Sequence, residues 1–189
     1  GTVIGEAAAR SGALNTTTGY DAILEPPEYS ISGGFFTTNV EVALSTSQTG
    51  AVIRYTLDGS EPTESSPVFT TPLVLGSKAD TPNDLSEIPT NYEPTGPDYY
   101  EGWQPPDGKV FKFHVLRARA FQEGALPSPA VTQSYLVDAV GTNRYSLPVV
   151  SIATDAANLF DDDIGIYTPV NDNMLQSGSD WERPGTIEF

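Results

Sequence analysis

Ile53-Arg54-Tyr55-Thr56-Leu57-Asp58-Gly59-Ser60-Glu61-Pro62 is the stretch on which the fold turns. Ile53, Tyr55 and Leu57 alternate with Val52, Arg54 and Thr56, and a period of two puts each set on its own face of a strand. Asp58-Gly59 suits a turn with positive φ, and Pro62 cannot donate to a central ladder, so Asp58, Gly59 and Pro62 are expected as a structural turn closing that strand. Upstream, Val40, Val42 and Leu44 alternate with Glu41, Ala43 and Ser45, and Ser47-Gln48-Thr49-Gly50 supplies the turn between the two runs. Downstream, Val68-Phe69 and Leu73-Val74-Leu75 form a short strand broken by Pro72. Lys109 to Phe121 is β-rich, first with Phe111, Phe113 and Val115 on one face, then with Leu116, Ala118 and Ala120 opposite Arg117 and Arg119. That switch predicts a bulge near Val115-Leu116. After turns at Glu123-Gly124 and Pro127-Ser128-Pro129, a last strand is expected over Ala130 to Val137. The pattern predicts a mainly β chain folded as an antiparallel sandwich of about seven strands across 28–137. Its expected core is Val42, Leu44, Ile53, Tyr55, Leu116, Ala118 and Tyr135.

Composition narrows the function. The chain has 189 residues, and 9 Lys+Arg against 25 Asp+Glu leave a formal charge of −16. Such a surface repels phosphate backbones and anionic lipid, so no nucleic acid partner is expected. No apolar run approaches the length needed for a membrane span. With no Cys there are no disulfides, thiolate metal sites or Cys nucleophiles, and Gly 17 with Pro 16 argues for many turns and few long helices. Residues 1–27 are small and polar and read as a linker or the tail of an upstream module.

Two regions carry the candidate ligand chemistry. The loop 79–108 holds six prolines and seven acids together with Tyr92, Tyr99, Tyr100 and Trp103. Loops this long inside a compact domain are often functional. Tyr99, Tyr100 and Trp103 could stack on the sugar rings of a polysaccharide or anchor a partner, or else fold over the sandwich as packing. The second region follows Asp138 and predicts a short α/β extension over 138–189. Leu147 to Ile152 reads as a buried strand, and Thr154 as the cap of a short helix through Phe160 with Asp155 in its first turn. Ile164 to Tyr167 and Gly185 to Phe189 read as extended. Asp161, Asp162 and Asp163 could offer oxygen ligands to calcium, joined by Asp172 and Asp180, although the spacing is not that of an EF-hand and a solvated acidic turn is the competing reading. No other cofactor is expected. His114 has no nucleophile or acid at a recognisable spacing, no phosphate-cradling glycine loop occurs, and no catalytic residue is assigned.

The string Ile53 to Thr63 resembles the hallmark of the chitobiase/β-hexosaminidase C-terminal-type domain. Tyr29 to Phe36 resembles that family's entry strand, and Leu116 to Phe121 with Thr132 to Tyr135 its last two strands. The resemblance spans about 28–137 and implies an immunoglobulin- or fibronectin III-like sandwich. Leu147 to Ile152, Asn158-Leu159-Phe160, Gly165-Ile166-Tyr167 and Trp181 to Pro184 are similar to the opening of a CotH-type kinase domain, and Asn83 to Asn91, with Trp103 and Pro105, to the loop such sandwiches carry ahead of it. On this reading 138–189 is a linker and the incomplete N-terminal part of a CotH-like domain. The family's nucleotide-binding Lys and catalytic acids lie beyond its opening strands, so none maps onto this chain. The resemblances imply a noncatalytic structural or docking module of a larger bacterial protein, extracellular or at the cell surface. Its expected partners are neighbouring domains of the parent chain and, through β-strand addition at exposed strands, copies of itself. The alternatives are the N-terminal piece of a CotH-type kinase performing ATP-dependent phosphoryl transfer and, more weakly, a carbohydrate-binding module.

Overall fold

A computed structural model of the chain describes residues 19–20, 22–90 and 103–189. The described strands are β1 (Ala22–Ile23), β2 (Glu28–Tyr29), β3 (Gly34–Phe36), β4 (Val40–Val42), β5 (Leu44–Ser45), β6 (Val52–Thr56), β7 (Leu73–Leu75), β8 (His114–Phe121), β9 (Ala125–Leu126), β10 (Val131–Val137), β11 (Ser151–Ala153) and β12 (Thr186–Glu188). One α-helical turn, α1, covers Ala156–Phe160.

Alternation decides which side chains meet. β6, β8, β10 and β3 form one sheet in the order β3-β10-β8-β6. The ladders β4–β7 and β2–β5 share the run 40–45 and face it. Val40, Val42, Leu44 and Leu75 from those ladders pack with Ile53, Leu116, Ala118, Tyr135 and Val137 from the four-stranded sheet in a single core. The chain is therefore a mainly β protein built as a β-sandwich. Six of the seven expected core side chains are buried, and Tyr55 packs against the cluster partly buried.

Hydrogen bonds from two phenols pin the ends of the core. The Tyr135 hydroxyl donates to Ile31 O at 2.7 Å, and the Tyr29 hydroxyl to Val131 O at 2.7 Å. Burial pushes both phenols above their ordinary pKa, so each stays a neutral donor. A second cluster joins Leu24, just after β1, to Ala120 and Ala125. β1 runs parallel to β9, and β3 parallel to β10, whereas the remaining ladders are antiparallel.

Several local expectations are corrected. β8 keeps one uninterrupted register against β10 from His114 to Ala118, so that ladder has no bulge at Val115-Leu116, and the pairing with β6 begins only at Arg117. Phe111 and Phe113 precede the strand, which is why they fall out of its phase. Leu147 to Ile152 is not a buried strand: only Ser151 to Ala153 pairs, and Leu147 and Ile152 are 77% and 66% exposed. Ile164 to Tyr167 forms turns instead of a strand, because Ile166 N and Tyr167 N donate back to Asn158 O and Leu159 O. Gly165 is required for that return, since a Cβ there would lie 2.6 Å from Asp161 O and 2.7 Å from Leu159 O. Asp155, not Thr154, occupies the cap position of α1. Thr154 Oγ1 instead donates to Pro184 O at 2.6 Å.

Candidate functional site

The turn after β6 is built by its own side chains. Asp58 Oδ1 accepts from Ser60 N at 3.0 Å and Ser60 Oγ at 2.6 Å, and Thr56 Oγ1 donates to Ser60 O at 2.6 Å. Partial burial opposes ionisation of Asp58, but the Ser60 hydrogen bonds outweigh it and hold the carboxyl below its ordinary value. Gly59 adopts φ 87°, and Pro62 is fully buried. A Cβ at Gly59 would meet Val115 Cγ1 at 3.5 Å and Thr154 O at 3.6 Å, ordinary contacts. Gly59→Ala is therefore expected to cost about 1–2 kcal/mol, from left-handed backbone alone. A urea titration checks this, and an unchanged midpoint would show that the turn relaxes without strain.

Alternation on β8 turns Arg117 and Arg119 away from the core, toward this turn. Arg117 Nη1 donates to Gly59 O at 2.8 Å, and its Nη2 forms an ion pair with Glu61 Oε2. Arg119 Nη1 reaches Glu61 Oε1 at 3.4 Å. The Arg117 side chain is 11% exposed, and its Nε is buried with no partner among the described residues. Glu61 then links a third element, because its backbone N donates to Asp155 Oδ1 at 2.6 Å. The turn thus joins the sheet to the C-terminal extension.

The extension also reaches the outward face of β10. Ser134 Oγ donates to Glu188 Oε2 at 2.6 Å and Ser134 N to Glu188 Oε1 at 3.2 Å. Ser134 Oγ lies 2.8 Å from Ser151 Oγ, and Thr132 Oγ1 donates to Thr186 Oγ1 at 3.2 Å. Thr132 and Ser134 are buried, although they stand on the face that a free-standing sandwich would show to water. This docking surface was not read from the sequence. Its only trace there is two small hydroxyl residues at alternate positions of a strand.

Lysines stitch together the two limbs of the loop 79–108. Lys78 Nζ donates to Phe113 O at 3.2 Å, Lys112 Nζ to Thr81 O at 3.1 Å, and Lys109 Nζ to Asp80 O. Asn83 adds Nδ2 to Gly108 O at 2.9 Å and accepts from Val110 N at 3.1 Å. His114 Nε2 sits 2.7 Å from Gly76 O at the root of the loop, and burial pushes its imidazole pKa below the ordinary value. A cleft opens between the turn at Asp58 and this loop. Tyr99 and Tyr100 lie outside the described residues. Trp103 is half-buried and does not line the cleft.

The acids Asp161, Asp162 and Asp163 are exposed. Asp161 Oδ1 accepts from Asp163 N at 2.9 Å and Ile164 N at 3.1 Å, ending α1 in a side-chain-capped turn. Asp162 O accepts from Asn171 Nδ2 and Asn173 Nδ2 at 2.9 and 3.0 Å. Among the described residues, no group of three or more His, Asp or Glu is placed to share a metal ion.

Residues 31–81 match the family model of the chitobiase/beta-hexosaminidase C-terminal domain. The matched segment runs from the approach to β3 through the Asp58–Pro62 turn to the root of the loop. Neither a curated protein nor a solved structure matches the chain.

Proposed function

We propose that the chain is a noncatalytic, immunoglobulin-like module of a larger bacterial secreted or surface protein, one that fixes the orientation of the segment following it. The observation that carries this reading is the turn at Glu61. There, one residue pairs with Arg117 and Arg119 through its carboxylate and with Asp155 through its backbone N–H. A flexible tether needs no such bond, whereas a module that sets the angle of its neighbour does. The family match across 31–81 supports the same class, since it falls on the sandwich and its turn. The exposed cross-strand pair Ile152 and Ile187, with Val150 beside it, is the surface this reading offers to the next part of the parent chain. Asp58 and Asp161 are committed to turns, and Glu61 to ion pairs with Arg117 and Arg119.

Hydrogen exchange tests the proposal. In the double variant Asp155→Ala, Glu188→Ala, each lost hydrogen bond is expected to contribute about 1 kcal/mol. Amides of 151–153 and 186–188 should then exchange at least about tenfold faster while β8 and β10 keep their protection. Unchanged exchange in β11 and β12 would mean these bonds do not hold the extension, and the orienting role would be wrong. ATP-dependent phosphate transfer by the purified chain, abolished by a substitution within it, would replace this reading with the kinase one.

A further inference from the structure

The cleft between the Asp58 turn and the loop has a volume of about 450 Å³, within the range of small-ligand pockets. Its walls are largely hydrocarbon, from Leu57, Leu85, Val110, Phe113 and Val115. Into this apolar surface come Lys78, Lys112 and Ser86. The chain has only three lysines, and two of them line this one cleft, together with Asp58 and Asp84.

The hydrogen-bond inventory shows what these groups lack. An ammonium carries three donors. Lys78 Nζ uses one, to Phe113 O, and Lys112 Nζ uses two, to Thr81 O and Val110 O, which leaves three N–H groups without an acceptor among the described residues. Ser86 Oγ is buried and likewise has no partner among the described residues. Buried polar groups are nearly always paired, and an orphaned hydroxyl beside two under-used ammonium groups calls for an acceptor. The acids at the cleft do not supply it. Asp58 is bonded to Ser60, and Asp84 is exposed and makes no side-chain cap bond. Burial and the neighbouring charge of Lys112 push the Lys78 ammonium below its ordinary pKa despite the opposing charges of Asp84 and Asp58, and a bound anion would add to that opposing charge.

We infer that this cleft binds a small amphiphilic carboxylate, its acid group accepting from Lys78, Lys112 and Ser86 and its hydrocarbon body lying against Leu57, Val110 and Phe113. The acid supplies the missing acceptor, and the body removes apolar wall from water. A free inorganic anion would leave the hydrocarbon walls wet, and a neutral hydrocarbon would leave the donors unpaired.

Methyl and amide NMR titrations of the 189-residue chain with octanoate, octanamide and acetate separate these terms. Octanoate should give saturable shifts at the methyls of Leu57, Leu85, Val110 and Val115. Octanamide, without the charge, and acetate, without the body, should each bind about tenfold more weakly or less. Ser86→Ala should weaken octanoate several-fold. Because the lysines also hold the loop, their replacement could perturb folding. Leu85→Glu is the second variant: Leu85 is half-exposed, its loss takes apolar wall from both ligands, and the added carboxylate should weaken octanoate about tenfold more than it weakens octanamide. Equal affinity for octanoate and octanamide would overturn the proposal. So would shifts confined to other parts of the surface, no saturable shift at millimolar octanoate, or indifference to both Ser86→Ala and Leu85→Glu.

Discussion

Tyr135→Ala is expected to destabilise the chain by about 3–5 kcal/mol, the cost typical of emptying a large buried aromatic site. Tyr135 is completely buried, its ring centroid lies 5.8 Å from that of Phe36, and its hydroxyl donates to Ile31 O. Truncation removes the ring, leaves a cavity under both sheets, and strips Ile31 O of its donor. Tyr135→Phe separates these contributions: it keeps the ring and should cost only about 1 kcal/mol, the usual net worth of one hydrogen bond. Urea titrations of the three proteins measure both differences. A loss below about 1 kcal/mol for Tyr135→Ala would mean that the two sheets do not meet across this side chain.

Arg117→Ala should rank second, at about 2–3 kcal/mol. Breaking a fully buried ion pair by removing one partner costs about 3–5 kcal/mol. Glu61 is 36% exposed, so water recovers part of its charge and the figure is reduced accordingly. The loss also includes the bond to Gly59 O and the packing of the Arg117 stem against the sheet. Arg117→Met keeps much of that packing, and the difference between the two variants in a thermal melt isolates the polar part. If Arg117→Ala is neutral, the fork of Arg117 and Glu61 is not what holds the turn against β8.

Much of the sandwich was legible because alternation reports a physical constraint directly. Val42, Leu44, Ile53, Leu116 and Ala118 each stand at every second position of a strand, and all are in the core. The Asp58–Pro62 turn was equally legible, since Asx bonding, positive φ at Gly59 and a proline outside the ladder are local chemistry. What escaped reading was everything that depends on a second layer. Alternation at Thr132 and Ser134 says that they share a face, not that β12 will lie over it. Leu147 to Ile152 looked buried because it is continuously apolar, yet hydrophobicity states only what burial would gain, and the described chain supplies no cover there. Ile164 to Tyr167 has strand-like composition, but Gly165 lets the backbone fold back onto α1, a tertiary contact that outweighs local propensity. The lysine clamps of the loop were invisible for a similar reason, because a lysine bonding a distant carbonyl leaves no periodic mark.

The parallel pairing of β3 with β10 governs how the protein answers a pull. Gly34, Phe35 and Phe36 lie opposite Tyr135, Leu136 and Val137, and both strands run in the same direction. Tension between the chain entering β3 and the chain leaving β10 would drag the two strands past each other along their lengths. Their rungs would be strained together in shear, whereas a hairpin gripped at its open end peels one bond at a time. That arrangement makes the β3–β10 seam the mechanical clasp of the four-stranded sheet.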